Sequence, residues 1–113
     1  MATGTAALLT GAYAAYHNRS FPDAWVRPLV RQLEATMVND TNLANAPAAD
    51  KETAYYVMVG TGMTMQVAQA ELAKQPNARR AAELRRLGAD VFRKMQIVDP
   101  SRVQFSETGI SFR

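Results

Sequence analysis

The sequence predicts an all-α fold, a four-helix bundle-like domain closed by a short C-terminal extended tail or small hairpin. Three observations predict it. Apolar residues make up 48% of 113 residues, yet only nine of them are aromatic, one Trp, four Tyr and four Phe. The rest is rich in alanine, with six methionines, a composition that suits close-packed helices better than strands. Apolar positions recur at helical spacing in four segments. The last seventeen residues lose that period and alternate polar with apolar.

The first helix is expected from about Thr5 to Tyr16, with Leu9, Ala12, Tyr13 and Tyr16 at helical spacing. "HNRSFPD" is a turn in which Ser20 or Asp23 can cap the next helix. The second runs from about Asp23 to Val38 on the stripe Val26, Leu29, Val30, Leu33 and Met37. Pro28 lacks a donor and clashes with the preceding turn, so a break or kink is expected there. "NDTNLANAPAAD" is the longest linker signal. Asp50 is then a candidate cap, with Glu52 in the first turn of a third helix running from about Lys51 to Lys74 and stopped by Pro76. The fourth runs from about Asn77 to Met95, with Leu84, Leu87, Gly88, Val91 and Met95 facing inward. Asp99-Pro100-Ser101 is a turn signal, and two very short strands are expected around "SETG". A lone hairpin is marginal, so it must lie against the helices.

"YYVMVGTGMTMQVAQA", residues 55–70, raises three readings. A dinucleotide fingerprint needs a third glycine where Met65 stands, and a strand before the loop. A membrane span needs about 20 mainly apolar residues, and Thr61, Thr64, Gln66, Gln69 and Glu71 interrupt this run. The third reading is a buried helix seam. Two glycines at about 1 kcal/mol each imply a close approach by another helix. Ala54, Met58, Gly62, Met65 and Gln69 form its stripe, widened by Tyr55, Val59 and Leu72, and its apolar wrap makes this the expected central helix of the core.

One domain covers 1–113 by length, although the chain can also be a fragment of a longer exported protein. Cysteine is absent, which removes disulfides, thiol nucleophiles and Cys-ligated zinc. His17 is the only histidine and stands at a helix end, where a cation favours the dipole. No catalytic residue, no metal ligand set and no cofactor motif is assigned. A hydrolase built around His17 would need an acid and a nucleophile converging on its ring.

The net charge is +3, and "ARRAAELRRLGADVFRK" alone carries an excess of +4. Arg79–Glu83, Arg86–Asp90 and Asp90–Lys94 stand at i, i+4, as on a solvated helix face. The candidate partner surface is Trp25 and Tyr56, aromatic residues with a polar handle, together with Arg79, Arg80, Arg85 and Arg86.

"LLTGAYAAYHN", "VRPLVRQLEATM", "DKETAYYVMVGTGMTMQVAQAEL" and "LRRLGADVFRKMQIVDPSRVQFSETGI" together resemble the C-terminal half of an uncharacterised family of exported proteobacterial proteins. In that pattern the closing portion begins at Gly88 and ends near Gly109. The chain departs from it where Met95-Gln96-Ile97 replaces the usual Leu-Gly before the turn. The resemblance implies an all-α domain in the periplasm or cell envelope, with a signal peptide and more helix on the N-terminal side. It carries no activity.

The functional expectation is a non-enzymatic protein-binding module of the bacterial envelope. It would be an accessory or an inhibitor- or immunity-type partner of a secreted or surface protein, with the cytoplasm as the alternative location. Its partner is another protein of unknown identity, and the strongly apolar third helix allows a homodimer. The alternative function is a nucleic-acid-associated domain using the basic fourth helix. That reading is the weaker one, because no stacking aromatics interleave the arginines.

Overall fold

Ten of the sixteen residues of the first helix are buried, and they are small: alanines and glycines with Leu9, Thr10 and Tyr13 among them. In this computed structural model, which describes residues 1–38, 40, 42, 45–97 and 99–112, that helix is the hub. Among the described residues four α-helices occur: α1 (Ala2–His17), α2 (Val26–Met37), α3 (Ala48–Lys74) and α4 (Ala78–Lys94). A 3-10 turn (Asp23–Trp25) precedes α2, and another (Pro100–Arg102) leads into β1 (Val103–Ser106) and β2 (Gly109–Phe112). The expected linker over 39–50 lies partly outside the described residues.

The central position therefore belongs to α1 and not to α3. The expected seam of α3 is correct, with Gly62, Met65, Gln69 and Leu72 buried, but among the described residues no second layer covers its other side. Tyr56, Val57, Met63 and Val67 stay exposed. The apolar content of α3 points to burial all round, whereas the alanine-rich α1, shorter and less bulky, is the helix that others can surround.

Small residues set how closely the helices meet. Gly4 lies beside Tyr55 and Met58, Gly11 against Gly62, and Thr10 beside Gln66, so α1 and α3 run in the same direction. A Cβ on Gly11 would sit 2.6 Å from the Gly62 Cα, and one on Gly62 would sit 2.7 Å from the Ala7 carbonyl carbon. Backbone meets backbone there, which is the compensation a mid-helix glycine requires. Gly88 plays the same part for α4, where a Cβ would lie 2.8 Å from the Ala12 carbonyl oxygen. Gly60 has only open space around it.

The helix ends follow local chemistry. Asn18 ends α1 in the left-handed conformation, φ 52°. Pro28 sits in the first turn of α2, where a missing N–H costs nothing, so the expected break there does not occur; the 3-10 turn at Asp23–Trp25 runs straight into the helix. Asp50 lies inside the first turn of α3, with Pro47 in the cap position, so it complements the dipole and does not cap. Asn77 caps α4, its Oδ1 accepting from the Arg80 N–H at 3.1 Å. At the other end Gln96 takes φ 70°, and the Ile97 N–H reaches back to the Phe92 carbonyl at 3.0 Å. This is a Schellman closure in a position glycine fills most easily, and it is where the chain departs from the Leu-Gly of the resembled pattern.

The hairpin expected around "SETG" is present, antiparallel, with Phe105 opposite Ile110 and Ser106 opposite Gly109. Asp99 opens its approach by accepting from the Ser101 N–H at 3.1 Å and the Ser101 hydroxyl at 2.6 Å. Phe105 anchors it among rings: Tyr13 at 5.4 Å, Phe21 at 5.3 Å and Phe92 at 6.4 Å between centroids. Its outer edge is held by one side chain of α2. Gln32 Nε2 donates to the Ile110 carbonyl at 2.9 Å, and the Ile110 N–H donates to Gln32 Oε1 at 2.7 Å. The amide thus stands in for a third strand and blunts a free edge. Gly109, at φ 111°, leaves room for that amide, whose carbon would lie 2.8 Å from a Cβ.

Candidate protein-interaction surface

Residues 75–77 turn the chain from α3 into α4, and both helices then pack on α1 instead of on each other along their length. The divergence opens a groove of about 930 Å³. Its floor is Ala68, Leu72 and Leu84, and Leu87 stands on its wall with Glu71, Lys74, Arg80 and Glu83 around the mouth. Leu87, expected to face inward, is 45% exposed. It lies on the flank of α4 that α1 does not reach, one position away from Gly88, which α1 does touch.

Of the six residues expected to form a partner surface, only Arg80 lines this groove, so the structure does not bring them together at one site. Arg80 is on its rim. Arg79 is exposed beside it and pairs with Glu83 at 3.5 Å. Arg86 is exposed on the outer side of α4. Asp90 pairs with Arg93 at 3.1 Å, the i, i+3 partner in place of the expected Arg86 and Lys94. Arg85 is engaged within the chain. Its guanidinium carbon lies 3.9 Å over the Tyr16 ring, and Nη1 donates to the Tyr16 carbonyl at 2.9 Å. It thereby satisfies one of the carbonyls that the end of α1 leaves unpaired. Trp25 is half-buried, edge-on to Phe21 at 5.8 Å and to Tyr13 at 6.5 Å, so most of its ring serves the aromatic cluster. Tyr56 is 63% exposed on the side of α3 away from α1, with the Tyr55 ring 5.7 Å off.

His17 ends α1 as expected. Its ring lies 4.6 Å from that of Tyr13 and 5.0 Å from that of Tyr16. Burial first, then the charges of Arg19 and Arg85, pull its pKa below the ordinary 6.5. The Tyr13 and Tyr16 rings pack against this imidazole at the helix end, and the downward shift opposes the cation expected there to complement the dipole. Among the described residues no three His, Asp or Glu side chains gather as metal ligands. No helix among them is long and apolar enough to cross a membrane. Gly60 and Gly62 lie in the interior of α3, so they form no phosphate loop.

Two contributors are not legible in the sequence. Leu87 sits in phase with the apolar stripe of α4, and nothing in the pattern tells the groove side of a stripe from its buried centre. Gln32 is one polar residue on a helix, and its bidentate grip on Ile110 depends on a contact 78 positions away. Comparison with known proteins matches residues 1–113, the whole chain, to a family of unknown function, DUF6683. No curated protein and no solved structure matches the chain.

Proposed function

The chain belongs to that family of unknown function, so no activity comes with membership, and we propose that it works by binding another protein in the groove between α3 and α4. The observation that supports this reading is Leu87, left 45% exposed on the wall of the groove, with charged residues at the groove's mouth. Interfaces are built in this way, an apolar centre that excludes water inside a polar rim. The partner would present an apolar side chain to Leu87 above the buried Leu72 and Leu84, with Arg80 fixing orientation at the edge. The envelope setting and the exported origin are proposed on the resemblance of the quoted segments; the accessory or immunity-type role is proposed separately, because no catalytic constellation is assigned.

Binding, not catalysis, is proposed because the one histidine is occupied by packing. The basic face of α4 is also partly committed, with Arg85 on Tyr16, Arg79 on Glu83 and Arg93 on Asp90, which thins the row of arginines left for phosphates. A photo-crosslinking amino acid at position 87, in the tagged chain mixed with an envelope extract, tests the reading. A discrete protein adduct is expected from position 87 and none from position 27, on exposed α2. Identical adducts from both, no adduct from 87, or only nucleic acid released as salt rises, would each contradict it.

A further inference from the structure

The groove leaves unexplained a row of exposed apolar residues on the opposite side of α3 from α1. Residues 49, 53, 56, 60, 63, 67, 70 and 74 all lie exposed along this side, at alternating steps of four and three, the spacing of a coiled-coil seam. Tyr56, Met63 and Val67 in this row are 63, 58 and 57% exposed, and Val57 beside them is 61% exposed. From Thr53 to Ala70 the helix holds no charged residue. Gly60, in the middle, has nothing within reach of a Cβ. Within the chain, then, the loss of about 1 kcal/mol for a helical glycine has no contact to offset it.

We propose that this face pairs with the same face of a second copy, with the two α3 helices antiparallel. A twofold interface must be complementary to itself, and this row is, in one register. With Met63 of each copy over Gly60 of the other, the largest flexible side chain fills the one gap in the seam. Tyr56 then meets Val67, and Thr53 meets Ala70. Lys74 comes over Ala49, near the carboxylates of Asp50 and Glu52 on the partner helix, and the antiparallel helix dipoles oppose favourably. Parallel pairing would instead stack Lys74 on Lys74 and leave Gly60 facing Gly60. The charge-free stretch also lets two chains of net charge +3 meet without bringing their basic α4 helices into the contact.

The area suffices. Tyr56, Val57, Met63 and Val67 expose on the order of 400 Å² per copy, so two copies with their flanking Thr and Ala residues reach the roughly 1,000 Å² a specific interface requires. The face is distinct from the groove, so Leu87 and Arg80 remain open in the dimer, and failure of either proposal leaves the other standing.

Sedimentation equilibrium of the full chain tests this, from about 1 μM to about 1 mM, which spans the affinities such a contact can give. A reversible dimer is expected. Met63→Glu, at a position 58% exposed and so compatible with folding, should weaken it by at least about thirtyfold, the effect of losing a central contact residue. Leu87→Glu should leave it unchanged. Orientation is read from single cysteines, since the chain has none of its own. Thr53→Cys mixed with Ala70→Cys should give a mixed disulfide or short-linker adduct, and neither variant alone should. A monomer at every concentration overturns the proposal. So does a dimer indifferent to Met63→Glu, or Thr53→Cys chains that crosslink to one another.

Discussion

Gly62→Val is expected to cost about 3 kcal/mol of stability, the upper part of the range for overpacking a close contact, while Gly60→Ala two residues away is expected to be neutral or to stabilise by about 0.5–1 kcal/mol. The difference comes from what each Cβ meets. At Gly62 it enters the backbone of α1, 2.7 Å from the Ala7 carbonyl carbon and 3.1 Å from the Leu8 nitrogen, and backbone cannot swing aside as a side-chain tip can. At Gly60 it enters open space, so alanine only removes the glycine's excess freedom in the unfolded chain. Urea denaturation of both variants, at concentrations too low for self-association, reads the contrast from the shift of the midpoint. Equal shifts, or a tolerated valine, would mean that α1 and α3 do not cross at Gly11 and Gly62.

Phe105→Ala is the second large effect, about 3–5 kcal/mol by the usual cost of truncating a buried phenylalanine. Phe105 is only 9% exposed and lies edge-on to Tyr13 and Phe21, so its ring joins the hairpin to the first helix and the turn before α2. Edge-to-face pairs of this kind add about 0.5–1.5 kcal/mol each beyond area burial. A chain with a typical total stability of about 5–15 kcal/mol would be left marginal. Hydrogen exchange at the Ile110 amide, which Gln32 holds at 2.7 Å, reports the hairpin separately from the bundle. It should accelerate at least as much as global unfolding predicts. Phe112→Ala is the control: that ring is 63% exposed, and its loss should stay within about 0.5 kcal/mol.

The helices are legible in the sequence because each carries its own period and its own end signals. Asn77 and Pro76 mark the α3–α4 turn, and "SETG" marks the hairpin, as the structure bears out. The seam of α3 is legible residue by residue, from Met58 through Gly62 and Met65 to Gln69. Its surroundings are not. A helix apolar on both faces reads as buried, and periodicity cannot tell a face covered by the same chain from one left open. The hub role of α1 is hidden for the complementary reason: alanine and glycine contribute little hydrophobicity each, yet they permit the backbone approach that lets three other elements crowd around one helix. For the candidate surface, Tyr56, Arg79, Arg80 and Arg86 are visible as exposed types at helical spacing. The internal engagement of Arg85 is not, because its partner is a backbone carbonyl 69 positions away.

Met63 and Met65 stand two residues apart on opposite faces of α3, 58% and 1% exposed, and their oxidation by dilute peroxide tests the two-faced character of that helix directly. Peptide mapping of the folded chain at low concentration should find Met63 converted to the sulfoxide well before Met65, with protection of Met63 growing as concentration rises. Met63 and Met65 oxidised at the same rate, or Met63 protected at every dilution, would mean that the outer face of α3 is covered within the chain itself and would contradict the account.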